Sequence, residues 1–177
     1  AGVIDFHAWL GAQSAAPCRE DHPPLPNLLY TSGTTGRPKA TELPPTMFAG
    51  GATIAEHLER LAENPLAEAG THLVVGPMYH TGPLSGARLL AAGVSSDILG
   101  RFDAEATLAA IERHRIGGSV MVPTHFIRPL ALPEEACARH DMSSLRQIHH
   151  TGAQCPAEVT RALIPLRRCR PPSPCRS

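Results

Sequence analysis

The chain has 177 residues and a formal net charge of zero. That length suits one domain with a substantial core, and the neutral balance gives no electrostatic reason to expect nucleic acid or an anionic membrane as partner. No run of about 18 apolar residues occurs, which excludes a spanning helix, and the opening "AGVIDFHAWLGA" lacks the basic and apolar regions of a secretory signal. The expected location is the cytoplasm.

Taken in chain order, "NLLYT" (Asn27 to Thr31) reads as a buried strand running into the Ser/Thr/Gly-rich stretch "YTSGTTGRPKA". "ATIAEHLERLAE" is helical, with Ile54, Leu58 and Leu61 on one face. Glu56 and Arg60 form an i,i+4 pair, and Asn64-Pro65 is the stop. "THLVVGP" is a second strand, followed by the loop "PMYHTGP", a short helix through Ala87 to Ala91, and a third strand in "VSSDIL". Asp103 caps a helix through Arg115, with Leu108 and Ile111 inward and Glu105 in the first turn. "GGSVMVP" is a fourth strand, a helix through Phe126 and Leu130 follows, and "SLRQIHHTG" is a fifth. Pro156 opens a last helix with Glu158 in its first turn and Val159 and Leu163 inward.

Alternating strands and helices predict an α/β fold: a mostly parallel sheet with flanking helices. Ligands of such sheets sit beyond the carboxyl ends of the strands. The Gly/Thr loop, "PMYHTGP" and "HTGAQCP" each follow a predicted strand, so all three are expected on one rim. From Pro165 the sequence changes to "PLRRCRPPSPCRS", rich in Pro and Arg and without an acid. Residues 1–164 are the structured portion. Residues 165–177 read as a disordered basic tail or as out-of-frame translation of GC-rich DNA, the composition favouring the latter.

The five cysteines form no CxxC pair and read as free thiols. Cys137, His140, His149 and His150 match no standard zinc-ligand spacing, so no metal site is expected. The basic residues are fifteen Arg and one Lys, and that Lys is Lys39. Its loop is not a Walker loop, because Gly36 is followed by Arg37-Pro38-Lys39-Ala40 rather than by Lys and a hydroxyl. It still has the means to hold polyphosphate. Gly33 and Gly36 allow close backbone approach, Thr31, Ser32, Thr34 and Thr35 carry hydroxyls, and Lys39 adds charge.

"YTSGTTGRPKA" resembles the phosphate-loop signature of the adenylate-forming (AMP-binding) superfamily, departing chiefly at Ala40, where that family usually has Gly. "PMYHTGPL" resembles its next motif, and "DMSSLRQIHHTGAQCPAEV" the later segment that flanks adenine. The resemblance covers about Pro24 to Leu163 and points to acyl-CoA synthetases. It implies a central piece of the large N-terminal domain of an enzyme that activates a carboxylic acid, a fatty acid by expectation, as an acyl-adenylate and then forms acyl-CoA. ATP with Mg²⁺, CoA and the acid are the implied small-molecule partners, with no tightly bound cofactor. Thr31, Ser32, Gly33, Thr34, Thr35, Gly36 and Lys39 would hold the ATP phosphates. Gly152, Ala153 and Gln154 would lie beside adenine, although Gln154 stands where most relatives have a small residue. Tyr79 and His80 would border the acyl pocket, unless His80 merely satisfies a turn. The family's aromatic-Gly-x-Thr-Glu motif, ribose-binding Asp and C-terminal catalytic Lys do not occur, so this chain is expected to be inactive alone. The alternative is a small non-catalytic nucleotide-binding or interaction module.

Overall fold

The computed structural model describes residues 3–17, 19–31 and 36–166. The first helix, α1 (Phe6–Gly11), is capped by Asp5, whose carboxylate accepts from the Ala8 N–H at 2.9 Å. Two strands follow, β1 (Asn27–Thr31) and β2 (Lys39–Leu43). They pair antiparallel, with Asn27 opposite Leu43 and Thr31 opposite Lys39.

This corrects the sequence expectation for "NLLYT". The strand is present over the expected residues, but it is not a buried strand of the parallel sheet. Leu28 and Tyr30 are 58 % and 71 % exposed, and the partner lies immediately downstream. The physical reason is length: a parallel partner needs a crossover of about a dozen residues or more, whereas residues 32–38 suffice only for a hairpin.

Helix α2 (Ile54–Ala62) starts at Thr53, whose hydroxyl accepts from the Glu56 N–H at 3.2 Å, a cap that stabilises by about 1 kcal/mol. Leu61 is buried, and Glu56 lies 3.8 Å from Arg60 as expected. Asn64-Pro65 does end this helix and at once opens another, α3 (Pro65–Glu68), with the Asn64 amide oxygen accepting from the Leu66 N–H.

The remaining strands are β3 (His72–Val74), β4 (Ser96–Ile98), β5 (Gly118–Met121) and β6 (Gln147–His150). They form one sheet in the order β4-β3-β5-β6, every pairing parallel. Between them run α4 (Thr81–Ala87) with a 3-10 turn at Arg88–Ala92, α5 (Ala104–Arg113), α6 (Pro123–Leu130) and α7 (Glu134–Ala138). Asp103 caps α5 as expected, accepting from the Ala106 N–H at 2.8 Å. Each crossover carries helix, so the α/β architecture is the one the sequence predicts.

The main core lies between the sheet and α5, α6 and α8 (Ala157–Leu166). It is built on Leu73, Val75, Leu108, Ile111, Ile116 and Phe126, with Val159 and Leu163 packed against it. Each fully buried aliphatic contributes about 1.5–3 kcal/mol relative to exposure. Helix α8 takes in Pro165 and Leu166, two residues past the expected change of character. Proline removes one N–H donor, a loss least felt in a final turn. Residues 167–177 of the Pro/Arg-rich stretch lie outside the described residues.

Candidate active site

Two of the three loops expected on one rim do meet at the carboxyl end of the parallel sheet. The loop after β3 begins at Val75-Gly76-Pro77, and the loop after β6 begins at Thr151. Thr151 is tied to the rim by its N–H, which donates to the Met121 carbonyl at 3.0 Å. The first turn of α4 lies directly against this loop. A Cβ on Gly82 would come within 2.7 Å of Thr151 Cγ2, so glycine is what lets the helix seat there. The third loop departs from expectation: it closes the antiparallel hairpin, not a strand of this sheet.

At the hairpin, pairing of Thr31 with Lys39 brings the two ends of the loop opposite each other. Gly36 has a φ of +76°, a left-handed conformation that glycine takes without strain and other residues rarely adopt. Lys39 is exposed on β2. Ser32, Gly33, Thr34 and Thr35 lie outside the described residues.

Tyr79 and His80 stand where the chain enters α4. Their rings face each other at 4.7 Å with an interplanar angle of 47°, and Tyr79 is 79 % exposed. The turn at His80 is made by its backbone. The N–H donates to the Pro77 carbonyl and the carbonyl accepts from the Leu84 N–H, both at 3.0 Å. The His80 imidazole makes no capping bond to α4, so satisfying the turn does not account for that ring. Gly152, Ala153 and Gln154 are exposed after β6, with Gly152 at φ +81°.

One neighbour of the rim was not singled out from the sequence. His125, in the first turn of α6, stacks on Phe102 at 4.4 Å, with its Nδ1 buried and unpartnered. Its Cε1 would lie 3.7 Å from a Cβ on Gly76. Burial, with a smaller contribution from Arg128, holds its pKa below the usual histidine value, so the ring is neutral near pH 7. The available signal was its place in "VPTH", just past the end of the fourth predicted strand.

The cysteine and histidine candidates for zinc are dispersed. Cys137 is buried with its sulfur 3.5 Å from the Pro129 carbonyl, and His140 Nδ1 is 2.9 Å from Glu112. Among the described residues no group of three His, Cys, Asp or Glu could hold a metal ion.

The chain matches the family model described as AMP-binding enzyme over residues 6–172. It is 34 % identical to the indoleacetate--CoA ligase of Aromatoleum aromaticum over 93 % of this chain and 33 % of that protein. It is 33 % identical to the 4-coumarate--CoA ligase 2 of Oryza sativa subsp. japonica, over 77 % of this chain and 24 % of the relative. Among solved structures, ATP-bound MatB from Rhodopseudomonas palustris superposes with a TM-score of 0.56 at 26 % identity, covering 76 % of this chain and 25 % of that one. The N-terminal domain of FACL13 from Mycobacterium tuberculosis gives 0.63 at 21 % identity, over 90 % and 39 % of the two chains, which supports the fold. The chain thus spans about a third of the length of the indoleacetate relative, and it belongs to the AMP-binding enzyme family.

Proposed function

We propose that this chain supplies the phosphate-holding loop and the adjoining acid-binding wall of an AMP-forming acid–CoA ligase. In that reaction a carboxylate oxygen attacks the α-phosphorus of ATP, the α–β phosphoanhydride bond breaks, and pyrophosphate leaves. The CoA thiolate then attacks the acyl carbon of the adenylate and AMP departs. The observation that carries the reading is the hairpin mouth: Thr31 opposite Lys39, closing a Gly/Thr loop with a left-handed Gly36.

Thr31, Ser32, Gly33, Thr34, Thr35, Gly36 and Lys39 are assigned to the β- and γ-phosphates. Backbone amides, hydroxyls and one ammonium would neutralise charge and hold ATP in line for attack. Gly152, Ala153 and Gln154 are assigned to the adenine side, and Tyr79 and His80 to the acid. The acid proposed is aromatic rather than fatty, on the support of the indoleacetate and 4-coumarate named in the relatives. An exposed Tyr–His pair suits a flat ring body. The proposed location is the cytoplasm, where ATP and CoA are available.

Residues that complete the chemistry in the resembled family do not occur in this sequence. The purified 177-residue chain is therefore expected to yield no thioester from ATP, CoA and either indoleacetate or a fatty acid, measured by chromatography of the acyl-CoA product. Thioester formation would overturn the proposed inactivity. Titration with a non-hydrolysable ATP analogue accompanies the assay. Tight binding without turnover is expected of the phosphate-holding loop, and no binding by a folded chain would count against that assignment.

A further inference from the structure

Away from the rim, a cavity of about 190 Å³ lies between the start of β1, the turn before α2, α2 itself and the 3-10 turn after α4. Most of its wall is apolar: Pro24, Leu25, Phe48, Leu58 and Leu61. Arg88 breaks that pattern. Its guanidinium carbon lies 3.4 Å from the centroid of the Phe48 ring. Its Nη1 is buried without a hydrogen-bond partner, and no carboxylate among the described residues forms an ion pair with it.

The ring face supplies a cation–π contact. The guanidinium is only partly buried, and the ring face does not supply the opposite charge that would balance it. An anion seated against Nη1 would give that nitrogen a partner. Burial alone holds the Arg88 pKa below its ordinary value, the direction expected where no counter-charge is present. Arg60, on the neighbouring face of α2, is already paired with Glu56.

The pocket also says which anion. The wall holds one guanidinium, no lysine, and His57, whose Nδ1 is engaged with the Gly50 carbonyl oxygen at 2.6 Å, which suits a single negative charge. The pocket, open to solvent on one side, has room for one small ring or a short branched chain. Asn27, on the wall at the start of β1, adds a neutral amide that can donate a second hydrogen bond.

We propose that the Arg88 pocket binds a small monocarboxylate with a compact apolar body, its carboxylate on the guanidinium and its body against Leu58, Leu61 and Phe48. The site is separate from the rim and does not depend on the ligase reading.

Isothermal titration of the 177-residue chain with benzoate tests it, without ATP or CoA, so that the outcome is independent of adenylation. Benzyl alcohol and inorganic phosphate serve as comparisons. Benzoate is expected to bind at a site that depends on Arg88, apart from any contact with the Tyr79–His80 wall. Arg88→Met, which keeps an apolar stem, is expected to weaken it at least about tenfold. Benzyl alcohol is expected to bind the unaltered chain similarly weakly, and phosphate not to compete. Equal benzoate affinity in Arg88→Met, no binding to the unaltered chain, or displacement by phosphate overturns the assignment. Should Arg88→Met fail to fold by circular dichroism, Ala91→Phe, which fills the same wall, replaces it. Undiminished benzoate binding by that variant overturns the proposal equally.

Discussion

Gly117→Ala is expected to destabilise the fold by about 3 kcal/mol or more, a large part of the stability of an ordinary domain. Gly117 sits just before β5 and is held from both sides. Its N–H donates to the Thr71 carbonyl at 2.9 Å, and its carbonyl accepts from Arg146 and Gln147 at 2.8 and 3.0 Å. A Cβ there would overlap the Ala69 carbonyl oxygen, with the Ala69 carbonyl carbon only 2.6 Å away. These are backbone atoms, so no rotamer change relieves the clash. Either α3 moves off the sheet or the bonds to β3 and β6 break. Gly100→Ala is the control, because nothing lies within 4 Å of a Cβ at that position, and its effect is expected to stay within about 0.5 kcal/mol. Urea midpoints for the two variants decide it: a Gly117→Ala midpoint equal to that of the unaltered chain would contradict the packing described.

The second large effect is loss of stability in acid. His72, on the central strand β3, is fully buried with both ring nitrogens unpartnered, and a Cβ on Gly86 of α4 would collide with its ring. Burial, with a smaller contribution from His149, lowers its pKa from 6.5 to about 4. The unfolded chain therefore binds a proton more readily than the folded one. Stability from this site is fully present above about pH 6.5, falls as the pH drops from there towards 4, and levels off below. The total is about 3 kcal/mol, of which about 2 is lost by pH 5. Urea unfolding at pH 7.5 and pH 5 reads this difference. His72→Leu should show a smaller drop than the unaltered chain by that amount, and an equal drop in both would refute the assignment to His72.

The contrast between these two positions shows what the sequence could reveal. Helices α2 and α5 were legible because their caps and apolar spacing act locally. Thr53 and Asp103 each bond a backbone N–H three residues on, and Leu61, Leu108 and Ile111 fall on the inner faces. Strand β2 was not legible, because "KATEL" lies on an exposed hairpin and has no buried face to impose alternation. Strand β1 misled in the other direction: an apolar run signals a buried strand, yet Leu28 and Tyr30 face outward. Helices α1 and α7, at six and five residues, are too short for a helical period to register. Within the candidate site, the Tyr79, His80 and Gly152 loops were placed on one rim by the strand-end rule. Nothing local separates His72 from a surface histidine, because its character comes from tertiary packing, and His125 had only its place after a strand to mark it.

The central claim is that the Gly/Thr hairpin loop serves adenylation of a carboxylate. Its most direct test is acid-dependent exchange of labelled pyrophosphate into ATP. The protein to use is the Aromatoleum aromaticum relative in which residues 6–166 of this chain replace the matching stretch. A folded chimera should catalyse exchange only when an aromatic acid is present. Lys39→Ala in that chimera should lower the rate about 10²-fold, the usual cost of removing one positioned charge donor. A chimera that folds and binds ATP yet gives no acid-dependent exchange, or exchange indifferent to Lys39→Ala, would contradict the claim.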